Sequence, residues 1–528
     1  MTIIDRRHLL AAFPALWMAA QAGAIPATPR NLIDAPGFLA DPFSLGIAAG
    51  DPDADGFVLW TRLAPEPAAP DGGMVAAPVL VRWEVARDAT FRQIVRDGEA
   101  IAHPELAHSV HVEVTGLEPA RPYWYRFTCG GRRSGIGRGA TLPLAQARLD
   151  RLRFAVAGCQ HYEEGLYTAW RKIAAEPIDF VFHYGDYIYE GADRGPQPRK
   201  IGGKVMTPIR RHGPVEIQSI TDYRQRYALY KSDADLQAAH AAAPWFVSFD
   251  DHEIDNNWAG DHDQDGTPPE LFMLRRAMAM QAYYEHMPLR RRSMPVAGQM
   301  RMYRDARFGD LMQGFFLDTR QYRSDQAYND ADVAQGPDVY SPERTMLGDA
   351  QEAWLFDGLT RSTARWNLIA QQVRLMNMHY TKPGSQTPVA SMDQWSGYMH
   401  SQRRLLGHIA DHCPGNVMTV SGDAHRHYAG DLVHDQRGTV VSGEFLATSI
   451  TSGADGVGED DDFTRSARAH TPELKAMTDR RGYVLCDVTR DAFRGELKVL
   501  DTVAVPDGRL STHAVLVAER GKPGLYLV

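Results

Sequence analysis

The 528-residue chain is poor in cysteine, with only Cys129, Cys159, Cys413 and Cys486. Four thiols in so long a chain exclude a disulfide-framed scaffold. They leave room for a single bridge and for a thiol with another task. Beyond the first residues, no apolar run is long enough to cross a bilayer, which argues against a transmembrane anchor. Basic residues are not in surplus: the formal net charge is −9. That balance excludes a broad nucleic-acid-binding surface, and an anionic substrate would need local positive charge from metals or arginines. Repeats and low-complexity tracts are absent too, which removes solenoids and long disordered linkers. What remains, 44% hydrophobic and 23% charged residues, is ordinary for a globular enzyme, with length for about two or three domains.

The first residues read as an address rather than as fold. "MTIIDRRHLLAAFPALWMAAQAGA" places Arg6 and Arg7 before a short apolar run and small residues ending at Ala22 or Ala24. This is the pattern of a signal peptide over residues 1–24. The paired arginines resemble a twin-arginine signal, a route that exports folded, cofactor-loaded proteins to the periplasm or beyond.

Two patterns of periodicity follow. From about residue 40 to 145, short strand-like runs such as "VLVRWEVA" and "YWYRFTC" recur at the spacing of an all-β sandwich. Within "TGLEPARPYWYRF", Leu117, Pro119, Tyr123 and Tyr125 resemble a corner of fibronectin type III domains in which a tyrosine pins a loop. From about 150 to 510, apolar strands alternate with helical stretches, including "YRQRYALYKSDADLQAAHAA" and "DAQEAWLFDGLTRS", where Asp349 is positioned as an N-cap. Alternation of this kind argues α/β architecture.

In open α/β sheets, function collects beyond the carboxyl ends of the strands. Four apolar runs end in groups able to bind metal. "RLRFAVAG" leads to Cys159 and His161, and "DFVFHYG" to Asp186 and Tyr189. "PWFVSF" leads to Asp250, Asp251 and His252, then Asn256 and Asn257. "NVMTVSG" leads to Asp423, His425 and His427. One such ending is turn punctuation; four drawing on Cys, Asp, Tyr and His are not. Thiolate, phenolate and imidazole suit iron or zinc, whereas carboxylates and amides suit calcium, magnesium or manganese. An aspartate can bridge the two kinds of ion, and a metal pair can clamp both oxygens of a phosphoryl transfer. His252 reads as an acid or as a group orienting a carboxylate. Arg320 and Arg323, in "FFLDTRQYR", are placed either to fork onto phosphate or to form internal ion pairs. Glu190 has no assigned role.

In order, "GCQ", "GDYIYE", "DDHEIDNN" and "SGDAH" match the motifs of PhoD-like alkaline phosphatases, members of the calcineurin-like metallophosphoesterase superfamily. The resemblance runs from about Phe43 to the C-terminal strands, and "GDYIY" is also similar to the G-D-x-x-Y of purple acid phosphatases. It implies a four-layer α/β/β/α domain behind a fibronectin III-like sandwich, and a ferric ion (Fe3+) with calcium (Ca2+) beside it. Cys159, Tyr189 and His425 would hold the iron, and Asp186 would bridge. Asp251, Asp423 and one of Asn256 and Asn257, here taken as Asn257, would serve the calcium. The resemblance gives no clear role to His161 or His427. The implied activity is an exported phosphoesterase working through metal-activated hydroxide on small monoesters and diesters. A phospholipase D-type enzyme acting on phospholipid or polymeric diesters is the nearest alternative. A non-catalytic metal-binding surface protein is an alternative of another class.

Overall fold

The computed structural model describes residues 31–201 and 204–528, so the signal-like segment 1–24 lies outside the described residues. The chain forms a mixed α/β structure around two large sheets. In the ten-stranded sheet, Arg151–Ala157, Phe180–His183 and Trp245–Val247 lie side by side and parallel. In the seven-stranded sheet, Met312–Phe316, Trp366–Ala370, Val417–Ser421 and Thr439–Leu446 do the same.

These strands are largely apolar because both of their faces are covered along most of their length. Their side chains alternate between two cores, as the two-residue period of a strand requires. Phe154, Val156, Phe180, Phe182 and Phe246 point from the first sheet into a core shared with Phe316, Leu368, Met418 and Phe445 of the second. Ala155, Val181, Trp245 and Val247 point the other way, against the helices Thr168–Ala174, Ile220–Lys231, Ala234–Ala242 and Pro269–His286. On the far face of the second sheet, Phe315, Ile369 and Val417 meet the helices Gly348–Arg361 and Met399–His412.

The aromatic seam between the sheets is tight: Phe316 stacks on Phe246 at 4.3 Å between ring centroids and is tilted against Phe182 at 5.5 Å. Phe316→Ala should therefore destabilise the protein by about 3–5 kcal/mol, read as a lowered urea midpoint with an unchanged slope.

Two local expectations resolve differently from the sequence pattern. The long helical stretch around residue 230 is two helices, interrupted where Asp233 accepts from the N–H groups of Asp235 (2.9 Å) and Leu236 (3.1 Å) and so caps the second. Asp349 caps nothing; it lies in the first turn of its helix, where its charge still complements the helix dipole. All four cysteines are free and buried.

The N-terminal strands Ile47–Asp53, Gly56–Arg62 and Ser109–Val114 extend the ten-stranded sheet, through one parallel bridge from Gly50 to Trp245. They face a five-stranded sheet that contains Val79–Ala86, Ile94–Ala102 and Pro122–Cys129, across their own apolar core. Tyr123 closes the expected corner: its hydroxyl accepts from the N–H of Glu118 (3.0 Å) and lies 3.3 Å from the same residue's carbonyl.

Candidate metal centre

Parallel strands place their carboxyl ends at one edge, so the four ligand-bearing turns meet there. The turns are sharp. Cys159, Asp186, Asn257, Asp423 and His425 all have positive φ, between 49° and 66°. For a residue with a Cβ this conformation costs about 1–2 kcal/mol, and such strain gathers at functional sites. The glycines of the two "GD" pairs are there for close approach. A Cβ on Gly185 (φ 135°) would lie 2.3 Å from the Asp250 Cβ, and one on Gly422 would lie 2.2 Å from the Tyr184 ring.

Two groups of ligand atoms result, joined by a third. Cys159, Asp186 and His425 each bring a ligand atom within 4.8 Å of the others. The Tyr189 hydroxyl stands with them, 2.6 Å from Asp186 Oδ2 and 3.2 Å from His425 Nε2. Asp250, Asp251 and Asp423 make an all-carboxylate group, and Asp186, Asp251 and His252 link the two. Asn257 joins the carboxylate side through its backbone, donating its N–H to Asp251 Oδ2 (2.8 Å), while its side-chain amide donates to Asp330 (2.6 Å).

The donors fit cations. Asp186 Oδ1, Asp250 Oδ2 and Asp251 Oδ1 are buried with no hydrogen-bond partner in the protein, an expensive state for a carboxylate unless an ion completes it. Burial, reinforced by Asp186, pushes the Cys159 thiol and the Tyr189 phenol well above their ordinary ranges, so their anions need a positive charge among them. Burial likewise raises the Asp423 carboxyl to about 7 against the pull of Arg320, with Asp393 and Asp251 adding to the rise.

Arg320 and Arg323 take the internal role that the sequence left open, and neither lines the cavity above the ligands. Arg320 is fully buried and spans Asp250 (2.5 Å), Asp393 (2.8 Å), Asp423 (3.2 Å) and Asp251 (3.4 Å). Arg323 donates to Asp393 (2.7 Å) and to the carbonyls of Asn257 and Trp258. The two guanidiniums thus meet Asp250, Asp251, Asp393 and Asp423, whereas Asp186 has no arginine partner among the described residues and keeps a carboxylate free for a metal.

Neighbouring residues brace these donors: Glu253 belongs to the same strand-end cluster as Asp250, Asp251 and His252, whereas nothing in the sequence pattern points to Ser452. Glu253 gathers the N–H groups of Asp186 (3.1 Å), Tyr187 (2.6 Å) and Asp250 (2.9 Å), tying two turns together. The Ser452 hydroxyl lies 2.6 Å from Tyr189 Oη and donates to the Cys159 carbonyl (2.8 Å). Glu190 holds His252 Nδ1 at 2.7 Å. Burial opposes the charge of His252, but Glu190, Asp251 and Asp186 outweigh it and raise the imidazole well above its usual range. His427 is buried between the sheets, near the carbonyls of Leu446 and Lys498, away from the ligands. His161 packs against Tyr189 with the rings tilted at 48°, but its ligand atoms group with Glu163 and His212 instead.

Above the ligands opens a cavity of about 720 Å³, lined by Tyr189, His252 and His425 among others. Soft and hard donors meeting at one aspartate beneath an open cavity suit a metal-dependent phosphoesterase. The comparisons agree. The family model for PhoD-like phosphatases matches residues 154–497, and that for their N-terminal domain matches residues 30–143. Alkaline phosphatase D of Bacillus subtilis (strain 168) is 45% identical over 497 residues, covering 94% of this chain and 84% of that protein. A solved structure of PhoD superposes with a TM-score of 0.88 at 43% identity, covering 94% of this chain and 93% of that one. The chain belongs to the PhoD-like phosphatase family and is a hydrolase of phosphoric ester bonds.

Proposed function

We propose that the enzyme hydrolyses phosphate monoesters, and diesters as well, at a centre made for one ferric ion and one calcium ion. Cys159, Tyr189 and His425 would hold the iron, Asp251, Asn257 and Asp423 the calcium, and Asp186 both. The observation that carries this reading is that Asp186 belongs at once to the thiolate–imidazole group and to the group reaching Asp251. When bound, the ions supply the positive charge that neutralises the phosphate and acidifies water. The protein does the rest. Arg320 and Glu253 hold the ligand turns in place. His252, fixed by Glu190 at Nδ1, keeps Nε2 near Asp251 (3.9 Å) and on the cavity, where it donates a proton to the leaving alkoxide. An open cavity over the ligands favours catalysis over a closed structural site.

The finer architecture belongs to the same reading: a four-layer α/β/β/α domain over residues 150–510 and a fibronectin III-like sandwich over 40–145. Residues 1–24 would be a twin-arginine signal leading to the periplasm or the exterior. No helix among the described residues is long and apolar enough to cross a membrane.

Rates on p-nitrophenyl phosphate and bis-p-nitrophenyl phosphate, with elemental analysis and a visible spectrum of the pure protein, test the reading. Iron with calcium and a charge-transfer band support it. Zinc alone would refute the metal assignment, and a diester preference of about tenfold, ~1.4 kcal/mol in barrier, would refute the monoester label.

Glu190→Gln keeps the shape of the His252 partner and removes its charge. It should lower kcat on alkyl phosphates, whose leaving group needs a proton, by about 10- to 100-fold. Its effect on p-nitrophenyl phosphate should be small, because that leaving group departs unaided. Equal losses on both substrates would place Glu190 in structure alone.

A further inference from the structure

The cavity has a second wall, beside the metal ligands. The rings of Tyr189, His161 and His212 follow one another, with centroids 4.5 Å and 5.0 Å apart. Glu163 lies with the two histidines, each residue placing a ligand atom within 4.8 Å of the others. Two imidazoles and a carboxylate are a familiar transition-metal donor set, but the hydrogen bonds argue against a metal here. His161 Nδ1 accepts from the backbone N–H of Glu163 (3.3 Å), which can only donate. His212 Nδ1 lies 3.1 Å from Tyr230 Oη and 3.4 Å from Arg226 Nη1. The guanidinium only donates, and the tyrosine already accepts from the N–H of Tyr162 (3.2 Å), which frees its own hydrogen for His212.

Both Nδ1 atoms are therefore acceptors, and the hydrogen of each neutral ring sits on Nε2. Each Nε2 is a donor without a lone pair to offer. His212 Nε2 is buried, its side chain 1% exposed; it has no hydrogen-bond partner in the protein and lies 4.0 Å from Glu163 Oε2. Glu163 Oε2 accepts from Arg199 (3.0 Å), while its buried Oε1 has no hydrogen bond and lies 3.8 Å from Arg211. Arg199 Nε and Nη1 are also buried without partners, and the exposed Arg194 lines the same wall. The guanidiniums of Arg194 and Arg199 outnumber the one carboxylate of Glu163 at this wall, so a cation would face mostly guanidiniums and N–H groups, and an anion entering from the cavity would be met chiefly by donors.

We propose that the wall of His161, Arg194 and His212, backed by Arg199, is a subsite for a second anionic group of the substrate. That group is a phosphate or carboxylate carried close to the scissile phosphoester, and the proposal rests on the phosphoesterase reading of the metal centre. Of the other nearby carboxylates, Glu164 accepts from the N–H of Gly453 (2.7 Å), and Glu190 is held by His252. Imidazole and guanidinium donors aimed together at oxygen atoms give the charge-assisted bonds that fix an oxyanion.

Two matched pairs of substrates test this on the metal-loaded full chain: glycerol 3-phosphate against 3-phosphoglycerate, and fructose 6-phosphate against fructose 1,6-bisphosphate. In at least one pair the member with the extra charge should show a KM lower by about tenfold, the effect of one charge-assisted hydrogen bond. The pair that responds tells carboxylate from phosphate. Arg194→Ala should bring the ratio within that pair close to one, and Arg194→Lys should restore part of it. A wild-type ratio near one in both pairs, or a preference that survives Arg194→Ala, overturns the proposal. So does a further stoichiometric transition metal that His212→Ala loses. Absence of turnover on all four substrates and on p-nitrophenyl phosphate would instead overturn the phosphoesterase reading, and this proposal with it.

Discussion

Asp186→Ala should lower kcat/KM for any phosphoester by at least about 10³-fold, some 4 kcal/mol of barrier. This carboxylate is the one shared between the two groups of donors, so its loss weakens both at once. It also removes the acceptor of the Tyr189 hydroxyl, leaving that phenol with His425 and Ser452. The fold should survive, because the backbone N–H of Asp186 still reaches Glu253. Asp186→Asn should lose nearly as much activity, since it keeps the volume and removes the charge. Elemental analysis of both variants, with circular dichroism as a control on folding, separates lost metal from lost structure. Wild-type kcat/KM in either variant would remove Asp186 from the centre.

Stripping the ions with a chelator should destabilise the protein, and the loss should grow as the pH rises from about 4 to about 7. The sign follows from Asp423. Its carboxyl is raised to about 7 in the folded chain, chiefly by burial, with Asp393, Asp251 and Asp186 acting against Arg320. An unfolded aspartate titrates near about 3.9. Folding therefore takes up a proton between the two values, and stability falls across that window and is level above it. Asp250, raised by burial as well, acts in the same direction. Asp251 acts oppositely, because Arg320 and His252 outweigh its burial and hold it low; its contribution is lost only below about pH 4. The total should amount to a few kcal/mol, measured as the urea midpoint of chelated protein across pH. The loaded protein should lack the slope, because bound cations keep these carboxylates ionised. Chelated and loaded protein with parallel pH profiles would mean that the carboxylates are balanced without metal.

Much of the centre was legible in the linear sequence for a local reason. A parallel strand covered on both faces is an apolar run, and the residues just past its carboxyl end are delivered to the sheet edge. Cys159, Asp186, Asp251, Asp423 and His425 are each within a few residues of such a run, so strand and proposed ligand can be read together. The glycine before Asp186 and before Asp423 is local too, although its reason, the close approach of Asp250 and of Tyr184, is not.

The partners of those ligands were not legible. Glu190 meets His252 across 62 residues, Arg320 meets Asp423 across 103, and Ser452 meets Tyr189 across 263. Asp393, which binds both buried arginines, follows no strand-like run at all. Which donor faces which acceptor at such separations is decided by how the two sheets and their helices pack, and no periodicity records it. The same holds for the arginines: "LDTRQYR" announces two guanidiniums at a strand end, and only the packed sheets determine that they turn inward to buried aspartates rather than outward to phosphate. The linear chain carries the strands, the types of donor and the edge where they gather, because backbone geometry passes these from one residue to the next. Packing sets which charges are balanced inside the protein and which are left for a metal or a substrate, because burial makes an unpartnered charge costly only once distant segments have closed over it.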